Sequence, residues 1–389
     1  MQKLVFLGAG NIASETARLV RKEFSNVEMV VADIDKGKAD DVAAEVNGKG
    51  VYFDATSPES IAEVIKGADL VFNAVGPFYK YGLGIIKEVV KNKVNYIDVC
   101  DEYDVTVSLV EDAELDKQAR DAGIFAMYGM GFSPGASNLA AKWASNLLDQ
   151  TDTIEVAAVI PYLPNLGTTV NDHMLFSMSG NVPQFVNGKI EYLPAWGGEK
   201  RFEFNGYGPL NVGYMGHPEG VSLGHSISGI NNASIRFRWY EDEGTEIWKT
   251  FERLGLTEDD EEENLPISPR QFLARYMDSP SGMKHLSLSE ESNAASSVFK
   301  VNAYGTRDEK QVKTTIEYQT GNYTGDPTPI CAAGAIAEAL NGRIQAKGLI
   351  APETGIAEPD TFVKDVVSSI NGELYLTEKV EETVIKIKK

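Results

Sequence analysis

The sequence predicts an α/β protein in which a doubly wound parallel sheet is joined to a second, mixed α+β domain. Three observations predict it. The chain opens with a strand, a glycine-rich turn and a helix. Strand and helix patterns then alternate for about 130 residues. From Thr153 that rhythm stops, and apolar strands separated by long stretches rich in glycine, proline and asparagine take over.

The elements follow in order. Lys3–Leu7 is an apolar run before glycines, and Ile12–Lys22 has helical spacing, with Ile12, Thr16, Leu19 and Val20 on one face. Glu28–Ala32 is a second strand ending at Asp33, Lys36–Val46 a helix and Val51–Phe53 a short third strand. Ser57 and Pro58 mark a helix start, as N-cap and first helical position. Leu70–Asn73 reads as the fourth strand, Tyr81–Lys91 as a helix and Tyr96–Val99 as the fifth strand. A long helix through Glu111–Ala122 ends at Gly123, before a sixth strand at Ile124–Met127. Six such strands fit the order 3-2-1-4-5-6 of a dinucleotide-binding sheet. The second domain is expected to be mostly antiparallel, with strands at Thr153–Ile160, Ser234–Tyr240, Val298–Tyr304 and Val312–Gln319 and loops at Tyr162–Thr169 and Asn205–Gly220. Helices at Pro329–Leu340 and Asp360–Ser369 and a strand at Glu373–Leu376 close the chain.

Composition bounds the function. The chain has 389 residues, room for two domains, and no apolar run long enough to span a membrane. The opening strand is too short for a signal-peptide core, so a cytoplasmic protein is expected. A net charge of −21 repels phosphate backbones and argues against nucleic-acid binding. Much of that charge sits in the run Glu258–Glu263, read as a solvated loop. The two cysteines, Cys100 and Cys331, form no disulfide framework, and no Cys/His spacing resembles a zinc site, so no metal is expected.

Gly8-Ala9-Gly10-Asn11-Ile12-Ala13 is a G-x-G-x-x-A fingerprint between a strand and a helix, the context of a Rossmann unit. Gly8 allows the tight turn, Gly10 lets a pyrophosphate approach the backbone, and Ala13 lets helix and strand pack closely. Asp33, at the end of the second strand, is placed to accept hydrogen bonds from the adenosine ribose. It would repel a 2′-phosphate, and Ile34 follows with no arginine nearby, so NAD is favoured over NADP. Asp54 and Ala55 would border the adenine. Asn73, Ala74, Gly76 and Pro77 form the turn at the fourth strand's ligand edge.

Taken together, Gly8-Ala9-Gly10, Asn73-x-x-Gly76-Pro77-Phe78, Tyr96-Ile97-Asp98-Val99-Cys100-Asp101-Glu102 and Gly131-x-x-Pro134-Gly135-x-x-Asn138 resemble the saccharopine dehydrogenase and lysine 6-dehydrogenase family. Gly216-His217-Pro218-Glu219, Ile267-Ser268-Pro269-Arg270 and Lys347–Glu353 are similar to it as well. The resemblance implies an NAD(P)-binding domain over residues 1–135, completed by about 325–389. It also implies a substrate-binding domain over 136–324 that forms a homodimer. The implied reaction oxidises an amine C–N bond of an amino acid or amine, or runs the reverse reductive amination. Between Pro161 and Phe185 the chain departs from the saccharopine enzymes and is closer to the lysine dehydrogenases.

Hydride transfer from an amine needs a proton acceptor of moderate pKa. Of the four histidines, His217 is the leading candidate, with Glu219 close enough in sequence to orient it; the alternative is a histidine that bonds only the loop backbone. His173 is the second candidate, and His285 is expected at the surface. Tyr79 could overhang the nicotinamide, and Asp101 or Glu102 could hold the substrate ammonium or simply cap a helix. Phe132, Ser133, Pro134 and Gly135 face the interdomain cleft as substrate contacts, and His173 and Glu219 are expected to touch substrate with them. Cys100 is read as a small buried residue, and Arg236 and Arg238 as facing solvent or an interface. An NADP-dependent imine reductase of polyamine synthesis is the alternative enzyme. A non-catalytic NAD sensor is the non-enzyme reading, which the large second domain disfavours.

Overall fold

The computed structural model describes residues 2–162, 167–260, 266–288, 296–321 and 325–380. Glu261 to Glu263 of the acidic run, and 163–166 of the first expected loop, lie outside them. The first sheet has seven strands: β1 (Lys3–Leu7), β2 (Glu28–Asp33), β3 (Lys49–Tyr52), β4 (Leu70–Asn73), β5 (Asn95–Asp98), β6 (Phe125–Met127) and, from far along the chain, β15 (Gly348–Ile350). Their order is β15-β6-β5-β4-β1-β2-β3, and every pairing is parallel. This is the predicted 3-2-1-4-5-6 order with one strand added beyond β6.

Continuous apolar runs suit a sheet covered on both faces. Successive side chains alternate between the faces. Leu4 and Phe6 meet helices Asn11–Glu23 and Thr328–Leu340 through Ala13, Ala17 and Ala335. Val5 and Leu7 face the other way, with Ile85, Ile86 and Val89 of helix Phe78–Lys91.

The second sheet contains β7 (Gln150–Ile160), β8 (Asn181–Val186), β9 (Lys189–Pro194), β10 (Lys200–Phe204), β11 (Gly208–Tyr214), β12 (Asn232–Trp239), β13 (Val298–Arg307), β14 (Lys310–Gln319) and β16 (Glu373–Val380). Its main path is β10-β11-β12-β7-β13-β14-β16, with β8 pairing β12 and β9 pairing β8. Only β7 and β12 pair in parallel; the others are antiparallel. The C-terminal segment thus divides. β15 extends the first sheet, whereas β16, expected with it, pairs β14 of the second over Val380 to Glu373.

Several local features differ from the sequence reading. The long helix through Glu111–Ala122 is two, Tyr103–Glu111 and Ala113–Asp121. The Asp112 carboxylate accepts the Leu115 N–H at 3.0 Å, capping a new helix where the first ends. The stretch Asn205–Gly220, expected as a loop, contains β11, and helix Thr168–Ser177 lies within Pro161–Phe185. Arg236 and Arg238 are buried, not solvent-facing. Arg236 donates to Ser234 Oγ (2.7 Å), the Gly198 carbonyl (3.0 Å) and Tyr214 Oη (3.0 Å) and pairs with Glu155 at 3.5 Å. Arg238 donates to the Trp239 and Tyr240 carbonyls and to Asp242. A guanidinium can be buried when its donors are satisfied this fully. Among the described residues no helix is long and apolar enough to cross a membrane.

Candidate active site

The sequence-predicted nucleotide residues converge on the carboxyl edge of the first sheet. Gly8 sits at φ +97, and helix Asn11–Glu23 begins after Gly10, which caps it without a side chain. A Cβ built on Gly10 meets no protein atom within 4 Å. The turn is therefore an open cradle in front of uncapped helix N–H groups, which fits a pyrophosphate. The Asp33 carboxylate is clamped at the rim: it accepts the Ala9 N–H at 2.8 Å and the Asp35 N–H at 2.8 Å. Ile34 beside it is 61% exposed and free to cover an adenine face. Asp54 accepts both the N–H (2.8 Å) and the hydroxyl (2.7 Å) of Thr56, shaping the loop that carries Ala55.

Asn73, expected in the cofactor-binding turn, has its side chain turned into the protein. It is fully buried, donates to Tyr96 Oη at 2.9 Å and accepts the Val75 N–H at 3.0 Å. It holds the turn that presents Ala74, Gly76 and Pro77. Tyr96 in turn donates to Asp98 at 2.8 Å, whose other oxygen accepts the N–H groups of Cys100 (3.0 Å) and Gly129 (2.7 Å). Burial is the main cause that raises the Asp98 carboxyl to about 6. Sequence reading passed over this network because its members lie on two strands and on the loops that follow β5 and β6. Cys100 is buried as read, and burial foremost pushes its thiol well up, away from nucleophilic use.

Next to this edge a cleft of about 670 Å³ opens between the two sheets. Asp101 and Phe132–Ser133 come to it from the ends of β5 and β6, His173 from helix Thr168–Ser177, and His217 from the loop after β11. Its floor is the second sheet, through Ala158, Ile160, Ile235, Phe237 and Phe299. His173 and His217 lie with ring centroids 6.2 Å apart, and His173 Nε2 is 3.4 Å from Asp101 and 3.3 Å from Ser177 Oγ. The His173 Nδ1 atom is buried without a partner among the described residues.

Glu219 does not line the cleft as a substrate contact. It is fully buried behind His217 and takes a short hydrogen bond from its Nδ1. It also accepts the hydroxyls of Ser133 and Ser137, each at 2.6 Å. Burial opposes its charge, yet His217 and these donors together carry its carboxyl below the ordinary glutamate range. For His217, burial pulls down, but the charge and hydrogen bond of Glu219 outweigh it and raise the imidazole. His173 goes the other way: burial lowers it, and Asp101 only partly compensates. One histidine is thus held toward the charged form and its neighbour toward the neutral form.

Pro134 and Gly135 stand behind Ser133 as scaffold. Gly135 has φ +119, and a Cβ there would lie 1.9 Å from the Gly131 carbonyl oxygen. Tyr79 is 46% exposed, outside the cleft lining, and its backbone N–H is held by Glu102. Glu102 also accepts the Phe78 N–H at 3.0 Å, and burial, then Asp101, push its carboxyl up to about 8. Asp101, Glu102 and His173 bring ligand atoms within 4.8 Å of one another, but both Glu102 oxygens are committed to backbone N–H groups. His285 is exposed, as read.

Comparison with known proteins agrees with this architecture. Residues 4–127 match the family model described as the saccharopine dehydrogenase NADP binding domain. The chain is 29% identical over 168 residues to the mouse (Mus musculus) saccharopine dehydrogenase-like oxidoreductase, covering 39% of each protein. It is 24% identical over 152 residues to the carboxyaminopropylagmatine dehydrogenase of a Synechocystis strain, covering 37% of this chain and 38% of that one. The likeness therefore spans about two fifths of the length of these relatives. The fold matches apo saccharopine dehydrogenase (L-Glu forming) from Saccharomyces cerevisiae with a TM-score of 0.64 at 14% identity, over 98% of this chain and 100% of that one. The family resemblance read from the motifs is borne out.

Proposed function

We propose, on the premise of this saccharopine dehydrogenase-like chain, that the protein is an NAD-dependent dehydrogenase. It oxidises the C–N bond of an amino acid or amine of the lysine and saccharopine type, or runs the reverse reductive amination. The observation that carries the reading is the His217–Glu219 couple, buried on a cleft that adjoins the nucleotide edge. The bound dinucleotide supplies the hydride acceptor for the amine carbon. Phe132 and the second sheet position the substrate carbon and exclude water, and Asp101 holds its ammonium. His217 takes the proton that the amine releases, Glu219 stabilises the imidazolium formed, and Ser133 and Ser137 hold Glu219 in place. His173, favoured neutral beside it, is the second acceptor in reach.

NAD is preferred because the Asp33 carboxylate is fixed at the ribose end and would meet a 2′-phosphate with like charge. The likeness to the Synechocystis enzyme favours a second reading, an NADP-dependent imine reductase of polyamine synthesis. Turnover with each cofactor and a panel of amines, amino acids and imines separates the two. His217→Gln is expected to lower kcat by about 10²–10⁴-fold, the usual worth of a general acid–base group, while NAD affinity stays unchanged. Full activity in that variant overturns the assignment. Tight NAD binding without turnover of any substrate would instead indicate a nucleotide sensor.

A further inference from the structure

We propose that the cleft selects amines and diamines that carry no carboxylate. This rests on the dehydrogenase reading above and narrows its substrate. The ionisable groups on the described lining are Asp101, Asp326, His173 and His217; no lysine or arginine is among them. The nearby cations are committed elsewhere. Ile235 and Phe237 of β12 line the cleft, so strand alternation sends Arg236 and Arg238 to the opposite face, where Arg236 meets Glu155. Arg270 is 10% exposed and bound to both Asp172 and Asp259.

Two helix N-termini at the cleft, the other common carboxylate receptors, are taken as well. Thr328 begins a helix at the cleft wall, and its N–H is already accepted by Asp326 at 2.8 Å. At the start of helix Ala136–Asn146, the Gly135 N–H is accepted by Asn138 at 3.1 Å. A substrate carboxylate would leave water for an apolar floor and the carboxylates of Asp101 and Asp326, while any charge on His217 is answered by Glu219 behind it. An ammonium would gain from those charges and its alkyl body from the floor.

The step balances with NAD⁺ and water as co-reactants. The amine's C–H bond breaks, and its electron pair leaves with the hydrogen to NAD⁺. One ammonium proton passes to His217. Water adds to the resulting iminium, and C–N cleavage releases the aldehyde and ammonium.

The test uses matched probes that differ by one carboxylate: 1,5-diaminopentane against L-lysine, and hexylamine against 6-aminohexanoate. Initial rates with saturating NAD⁺ and calorimetric Kd are both read. The carboxylate-free member of each pair is expected to have a kcat/KM and an affinity at least about tenfold better, two carboxylates each opposing the anion. Ser297→Lys, which adds a cation to the lining, is expected to narrow or reverse that ratio. Better turnover and binding of L-lysine and 6-aminohexanoate overturn the substrate class and leave the dehydrogenase reading intact. Equal affinities within each pair overturn the substrate class too. Preferred binding of the amines with no NAD⁺ reduction supports the cleft's selectivity and sinks the dehydrogenase reading.

Discussion

The two sheets use polar side chains in opposite ways. At the carboxyl edge of the first, Asp33, Asn73, Asp98 and Glu102 each accept backbone N–H groups and so fix loops. In the second, charges answer one another across strands. Glu155 takes Lys200 at 2.7 Å, Arg236 at 3.5 Å and the Tyr304 hydroxyl at 3.0 Å, and Glu317 takes Lys300 at 2.7 Å. That pairing occupies one face and leaves the other apolar for the cleft. The first arrangement builds a site out of backbone, whose shape is local. The second builds one out of side chains that meet only through strand pairing.

Breaking the second arrangement should cost the most. Glu155→Gln strands the buried Arg236 charge and is expected to destabilise by about 3 kcal/mol in denaturant melts, at the low end for a broken buried pair because Lys200 can turn to water. A loss under about 1 kcal/mol would mean that the face tolerates an unpaired charge. The nucleotide edge should fail differently. Gly10→Val points into empty space, so its melting temperature should stay put while the Kd for NAD weakens at least about tenfold. Unchanged affinity would show that the turn does not receive the pyrophosphate.

A smaller loss should come from the loop-fixing network. Tyr96→Phe strips the hydroxyl between Asn73 and Asp98, leaving two buried polar groups short of a partner, and is expected to cost about 1–2 kcal/mol. The subtlest change is a shift in pH dependence. His217 must be neutral to accept a proton, and its pKa is raised, so amine oxidation should rise with pH through a midpoint above 6.5. Glu219→Gln removes the charge that most raises it and leaves burial and Asp101, so the midpoint should move to lower pH. A midpoint that does not move would assign the limb to another group.

Legibility followed the same divide. Gly8, Gly10 and Asp33 were readable because turn, helix start and strand end lie within one unit. His217 and Glu219 were readable as neighbours in sequence, but Glu219 was read as touching substrate. Its contacts with Ser133 and Ser137 come from a loop and a helix start more than 80 residues away. Arg236 and Arg238 were misread because alternation shows that two residues share a face but not what covers it. The cover comes from Glu155 on the adjacent β7, Gly198 and Tyr214 near β11, and Asp242 just beyond β12. Strands β8 to β11 were missed because their apolar runs are short and broken by polar residues, as in Lys200–Phe204.

The sequence by itself determined the parallel sheet, the order of its first six strands, the glycine turn and the carboxylate at its rim. Each follows from periodicity or from backbone chemistry over a few residues. Only the tertiary structure decided the character of the cleft. Glu219 set His217 toward the charged form, burial set His173 toward the neutral one, and β12's register turned two arginines away from the cleft. Such effects depend on which groups lie within a few ångströms of one another, and strand pairing between distant segments settles that.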